Sequence, residues 1–201
     1  MLSTVRVLAL PVLAMTLIVV ASNVLVQHPI PWFGLEDYLT WGALTYPVSF
    51  LVTDLTNRRY GVGTARRLVV VGFVIAVVLS IALATPRIAL ASGTAFLVGQ
   101  LLDVTVFNRL RRDVWWHAPL AGSLVGSALD TALFFSIAFA GIPAMSGLVN
   151  FAGFQVPLWT SLAMADFGVK VTIALLALIP YGALLNVVLP VESLRRPAAA
   201  R

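Results

Sequence analysis

The chain has no cysteine, two histidines and one lysine among its 201 residues. Without cysteine there is no disulfide framework, no thiol chemistry and no thiolate metal site. His28 and His117 make no metal-ligand spacing, so no metal centre is expected. Charge is scarce as well: 10% of residues are charged, against about 25% in a typical soluble domain. The sequence has no phosphate loop, no HExxH and no GxSxG, so the usual nucleotide, zinc and serine hydrolase readings lack their residues. The GxGD signature of intramembrane aspartyl proteases is also missing; Asp130 follows Gly126-Ser127-Ala128-Leu129. No enzyme and no cofactor is expected.

What the chain has in excess is apolar sequence: 60% hydrophobic residues and a mean hydropathy of +0.99. A soluble fold of this size cannot hide that much apolar surface, so the class is integral membrane protein. A single membrane domain over residues 1–201 is expected, an all-α bundle of six transmembrane helices. Their bounds are about 5–26, 38–55, 68–84, 88–107, 115–140 and 158–189, with Pro180 a candidate break in the last. The first run is long for a signal peptide and five more follow, so it reads as a retained helix.

Arginine placement sets the orientation. Arg6, Arg58, Arg59, Arg66, Arg67, Arg109, Arg111, Arg112, Arg195, Arg196 and Arg201 share one side if six helices alternate. The other side receives Arg87, with Glu36 and Asp37. That is a positive-inside pattern with both termini cytoplasmic. The formal charge of +5 invites a nucleic-acid reading, but the arginines fall in short connections, so no nucleic-acid partner is expected. Trp32, Trp41, Trp115, Trp116 and Trp159 fall near helix ends, as an aromatic belt should. Residues 141–157 are uncharged and rich in Gly, Pro and aromatics, and read as an interfacial loop or a lid on the bundle.

Ionisable groups inside apolar spans are costly and tend to face a bundle interior or a water path. Asp54, Asp103, Asp130, Asp166 and Lys170 are such groups. A rise of ~1.5 Å per residue places Ser49, Gln100, Asp130 and Lys170 near the midplane, where transporter sites lie. Asp166 and Lys170 are spaced i, i+4 and can neutralise each other. Asp54 and Asp103 each precede Asn and Arg residues and can serve as interfacial ion-pair partners. Asp130 has no basic residue within a turn of its own helix, so a purely structural role explains it least. It ends a stripe of Gly122 and Gly126, beside Ser123, Ser127 and Thr131, which is a packing seam or the border of a cavity. The strings TDLTNRR and LDVTVFNRLRR echo each other at the inner ends of the second and fourth spans.

The segments SNVLVQHPIPWFG, LTWGALTYPVSFLVTDLTNRRYG, GQLLDVTVFNRLRRDVWWHAPLAGSLVGSALDTALFFSIAF and DFGVKVTIALLALIPYGALLNVVL resemble the queuosine precursor transporters of the VUT family. The match runs in order over nearly the whole chain. It implies import of 7-cyano-7-deazaguanine, or its aminomethyl relative, across the bacterial inner membrane. The partners implied are that small 7-deazaguanine substrate and the lipid bilayer; a homo-oligomer is compatible with the same residues. The family is also distantly similar to the substrate-binding subunits of energy-coupling-factor vitamin transporters. A binding subunit needing a separate ATP-driven partner is therefore the rival reading. Such subunits often carry small residues at four-residue spacing on the first helix, and Ala9, Ala14 and Ala21 do not keep it.

A guanine-like edge presents an N–H beside an NH₂, which one carboxylate can accept as a bidentate pair. With that ligand, Asp130 is the leading acceptor and Asp103 the second. Gln100, Asn23 or Asn150 would serve the carbonyl and cyano groups, with Ser49 in the same belt. Lys170 would neutralise Asp166 or donate to the ligand carbonyl. Phe96, Phe134 or Trp159 would stack on the ring.

Overall fold

The computed structural model describes residues 2–25, 28–32, 39–83 and 85–188. Glu36, Asp37, Arg195, Arg196 and Arg201 lie outside the described residues, as does the side chain of Arg6. The chain runs as α1 (Leu2–Leu25), α2 (Trp41–Thr45), α3 (Val48–Tyr60), α4 (Val62–Leu83), α5 (Pro86–Leu110), α6 (His117–Phe139) and α7 (Leu158–Val188). Among the described residues, five helices are long and apolar enough to cross a membrane: α1, α4, α5, α6 and α7.

The second expected span is divided. Pro47 has no N–H to give to a helical ladder, and the chain restarts through Ser49 N–H to Tyr46 O (3.0 Å) and Phe50 N–H to Pro47 O (3.1 Å). The 13-residue α3 that follows carries Asp54, Asn57, Arg58 and Arg59, too polar a set for a lipid-facing helix. It is instead largely buried by protein, with Ser49, Phe50, Thr53, Asp54, Thr56, Asn57 and Arg58 all inside.

Two expectations are corrected. Pro180 does not break the last helix, because α7 continues from Leu158 to Val188; a membrane helix tolerates the one lost backbone bond. The chain is not all α: residues 143–145 form a 3₁₀ turn, and β1 (Leu148–Phe151) pairs antiparallel with β2 (Phe154–Pro157). The two turn residues, Ala152 (φ 51°) and Gly153 (φ 89°), are both left-handed. That geometry fits the right-handed twist of a tight hairpin. Asn150 Oδ1 holds the turn by accepting from Gly153 N–H at 3.1 Å. Leu148 and Phe154 stay exposed, as on an interfacial hairpin.

One core joins α1, α4 and α5 through Met15, Val19, Leu68, Val69, Phe96 and Val104. Outward faces keep Leu10, Leu13 and Leu17 on α1, Val74, Val78 and Ile81 on α4, and Leu176 and Ile179 on α7 exposed, as lipid contact requires. At the end of α6, Arg87 donates to Ile137 O (2.7 Å) and Ala140 O (2.6 Å). A cation there satisfies carbonyls that have no partner in the helix and opposes its negative pole.

The α5–α6 seam positions the site. A Cβ added to Gly126 would lie 2.8 Å from Gly99 O, 2.9 Å from Asp103 Cβ and 2.9 Å from Phe50 Cε1. A Cβ on Gly99 would lie 2.8 Å from Asp130 Cβ, and one on Gly122 would lie 2.5 Å from Asp103 Oδ1. Only glycine allows the two backbones this approach. The stripe on α6 therefore has two edges. Its glycines form the seam, and its serines, Ser123 and Ser127, line a crevice.

Candidate functional site

Two polar groups are buried one above the other where α3, α5, α6 and α7 meet. The upper group is built around Lys170, 4% exposed on α7. Its ammonium lies 2.7 Å from Asp130 Oδ2 and 2.6 Å from Asp166 Oδ2, and donates to Thr131 Oγ1 at 2.9 Å. Thr131 in turn donates its hydroxyl hydrogen bond to Asp166 Oδ2 at 2.8 Å. Tyr46 donates to Asp130 Oδ1 at 2.9 Å, and its ring centroid lies 5.5 Å from the ammonium. One cation thus serves two carboxylates, leaving one net negative charge when both acids are ionised.

This arrangement answers the midplane expectation in part. Asp130 and Lys170 do share a depth, and Asp166 joins them. Asp130 is not a free acceptor, because both its oxygens are engaged. Asp166 is the more open acid, with a side chain 16% exposed. Gln100 and Ser49 are brought together with each other instead. Gln100 Nε2 donates to Ser49 Oγ (2.9 Å), and Thr53 Oγ1 donates to Gln100 Oε1 (2.7 Å). All three are fully buried, and the bonds clamp α5 to α3. Asn23 is on α1 and bonds back to Val19 O at 2.9 Å. Phe96 is core and meets the Tyr46 ring edge-on at 6.2 Å, so it braces Tyr46.

The lower group holds Asp54 and Asp103. Asp103 is 0% and Asp54 1% exposed, and the two carboxyl groups lie within hydrogen-bonding reach of each other. Ser123 Oγ is 3.5 Å from Asp54 Oδ2. Asp54 Oδ1 and both oxygens of Asp103 have no donor. Arg58, one turn below Asp54, acts on it only through space and makes no hydrogen bond to it. Arg58 donates to Tyr181 OH (2.8 Å), Arg111 O (2.5 Å) and Trp115 O (3.5 Å), and lies over the Phe107 ring. The expected ion pair between Asp54 and its arginine neighbours is therefore not made with Arg58. The Arg58–Tyr181 contact, with Trp115 stacked on Tyr181, closes the bundle beneath the lower acids.

A crevice connects the two groups along α3, α6 and α7. Phe50, Asp54, Ser123, Ser127, Lys170 and Tyr181 line it. Its enclosed space is about that of one water molecule. A flat bicyclic ligand enters only if the walls part, and α7 supplies one whole wall.

Sequence reasoning missed two partnerships. Tyr46 and Asp130 are 84 residues apart, so no local spacing announces their bond. Asp54 and Asp103 did leave a signal. They are the acids of the two echoing strings, and Asn57 of the first donates to Val104 O of the second at 3.2 Å.

Comparison with known proteins gives the family. A family model described as "Putative vitamin uptake transporter" matches residues 40–85 and 78–184. The chain is 37% identical over 195 residues to the queuosine precursor transporter of Escherichia coli (strain K12), covering 86% of this chain and 84% of that one. It is also 37% identical over 204 residues to a Haemophilus influenzae protein named "Probable queuosine precursor transporter", covering 86% and 83%. A Bacillus subtilis protein of the same name is 28% identical over 190 residues, covering 81% and 77%. No solved structure matches. With a family model across most of its length and relatives aligned over most of both chains, this multi-pass membrane protein belongs to the VUT family, that of the queuosine precursor transporters.

Proposed function

We propose that the chain is a secondary transporter that imports a queuosine precursor across the bacterial inner membrane, with 7-cyano-7-deazaguanine as first substrate and its aminomethyl relative as second. The names of its relatives support the substrate class. In this reading α2 and α3 together make the sixth crossing, and both termini are cytoplasmic. Arg58 and Arg111 meet at one end of the bundle while Arg87 sits at the α6 C-terminus, which agrees with that alternation.

The observation that carries the reading is the sharing of Lys170 by two carboxylates. Such a cation can keep one acid while the other turns to a ligand. Asp130 is held by Tyr46 as well, and Asp166 is the more exposed, so Asp166 is the acid that turns. The guanine-like edge then gives its N–H and NH₂ to Asp166 and its carbonyl to the Lys170 ammonium. Both are charge-assisted contacts, shorter and stronger than neutral ones. Asp130 and Tyr46 hold the lysine in place. Asp103 lies a turn deeper against Asp54 and takes no part in the base edge. Gln100 and Ser49 brace the wall behind it. Binding parts α7 from α3 and α6 and opens the crevice.

Purified protein in liposomes, without partners or ATP, tests this. Exchange of labelled 7-cyano-7-deazaguanine above empty vesicles supports a transporter working alone. Uptake that appears only with added membrane extract and ATP would favour the binding-subunit rival.

A further inference from the structure

Among the described residues, Asp54 and Asp103 are buried acids that the proposed substrate site does not use. Beyond the Coulombic pull of Arg58 on Asp54, their surroundings offer little to a negative charge. From α3, Arg58 directs its guanidinium to Tyr181, Arg111 and Trp115, and Asn57 spends its amide N–H on Val104 O. From α6 comes the Ser123 hydroxyl, at 3.5 Å. From α7, Tyr181 is engaged with Arg58, and the Lys170 ammonium is held by Asp130 and Asp166 above. Arg111, beyond the end of α5, donates back to Arg58 O. Three carboxylate oxygens and Asn57 Oδ1 are left buried without a donor.

Two ionised carboxylates in contact repel, and a buried acceptor with no donor is costly. A single proton resolves both, because it turns one acid into a donor to the other, as in a carboxyl dyad sharing one proton. Among the described residues no group of three or more His, Cys, Asp and Glu gathers to ligate a metal. The crevice supplies a route, since it reaches Asp54 from Lys170 past Ser127 and Ser123.

We infer that Asp54 and Asp103 form a proton-binding site, holding one proton between their carboxyl groups and exchanging it through the crevice that the substrate opens. The site itself follows from the geometry; its use in coupling rests on the transport reading above. The proton is taken up from the outer side when α7 parts from α3. It leaves toward the cytoplasm when the Arg58–Tyr181 closure opens. Nothing is oxidised or reduced, and the second carboxyl stays ionised throughout.

The test uses full-length protein in liposomes with labelled 7-cyano-7-deazaguanine. Exchange without any gradient reports transport alone, and its absence in the wild type would sink the transport reading rather than the proton site. Accumulation under an imposed pH gradient, acid outside, reports coupling. The wild type should accumulate label, lose that accumulation with a protonophore, and ignore a sodium gradient. Asp103→Asn and Asp54→Asn should each exchange label yet lose the response to the pH gradient. Infrared difference spectra of unlabelled protein should show a protonated-carboxyl band at neutral pH that vanishes in either variant; the wild-type band stands as a readout even if a variant fails to fold. Accumulation driven by sodium, a pH response retained in both variants, or no protonated-carboxyl band in the wild type would each overturn the proposal.

Discussion

The upper and lower acids are neighbours a turn apart, yet they meet burial in opposite ways. Asp130 and Asp166 have a lysine, a tyrosine and a threonine arranged around them. Asp54 and Asp103 have each other and one distant serine hydroxyl. In the first group a lysine of the protein offsets one of the two negative charges. Among the described residues, no cation of the protein is hydrogen-bonded to the second. The difference separates a group suited to hold a polar solute from one suited to hold a proton.

Removing the cation should break the comparison most strongly. Lys170→Met leaves the buried Asp130 and the half-buried Asp166 without their cation, and breaking a buried pair by removing one partner costs about 3–5 kcal/mol. Denaturation in detergent should show a fold weakened by that amount, and transport should be lost. Gly126→Ala should come next. Its Cβ would strike Gly99 O, Asp103 and Phe50, and overpacking of this kind costs about 1–3 kcal/mol. The same melts should detect it, and the surplus should appear as a weakened α5–α6 seam in hydrogen exchange.

Tyr46→Phe deletes one donor to Asp130 Oδ1 while keeping the ring beside Lys170. A loss of about 1–2 kcal/mol is expected from one buried hydrogen bond, read from the shift in denaturation midpoint. Asp103→Asn should have the smallest effect on stability. An amide can donate to Asp54, as the shared proton does, so the denaturation midpoint should move less than in the other variants. Asp130→Asn in parallel, which weakens the hold on Lys170, should be clearly the more damaging of the two.

Much of this was legible in the sequence. Hydropathy marked the long helices, and depth counting put Asp130 level with Lys170. The i, i+4 spacing gave the Asp166–Lys170 contact. What stayed hidden depended on how helices rotate against one another. The bond from Tyr46 to Asp130 needs the junction of α2 and α3 to face α6, and nothing local in either segment sets that rotation. Gln100 looked like a ligand group because it is polar at mid-depth, but the facing Ser49 and Thr53 satisfy it. The break at Pro47 was missed because apolar residues continue through it. The hairpin was missed because Ala152 occupies a left-handed turn position where Gly or Asn is the usual signal.

Equilibrium binding of labelled 7-cyano-7-deazaguanine to the purified protein tests the division between the two groups most directly. Asp166→Asn should weaken binding by about tenfold or more, since 1.4 kcal/mol is a factor of ten and a bidentate charged contact is being removed. Asp54→Asn should bind as the wild type does. Wild-type affinity in Asp166→Asn, or lost affinity in Asp54→Asn, would contradict the assignment of the upper group to the substrate.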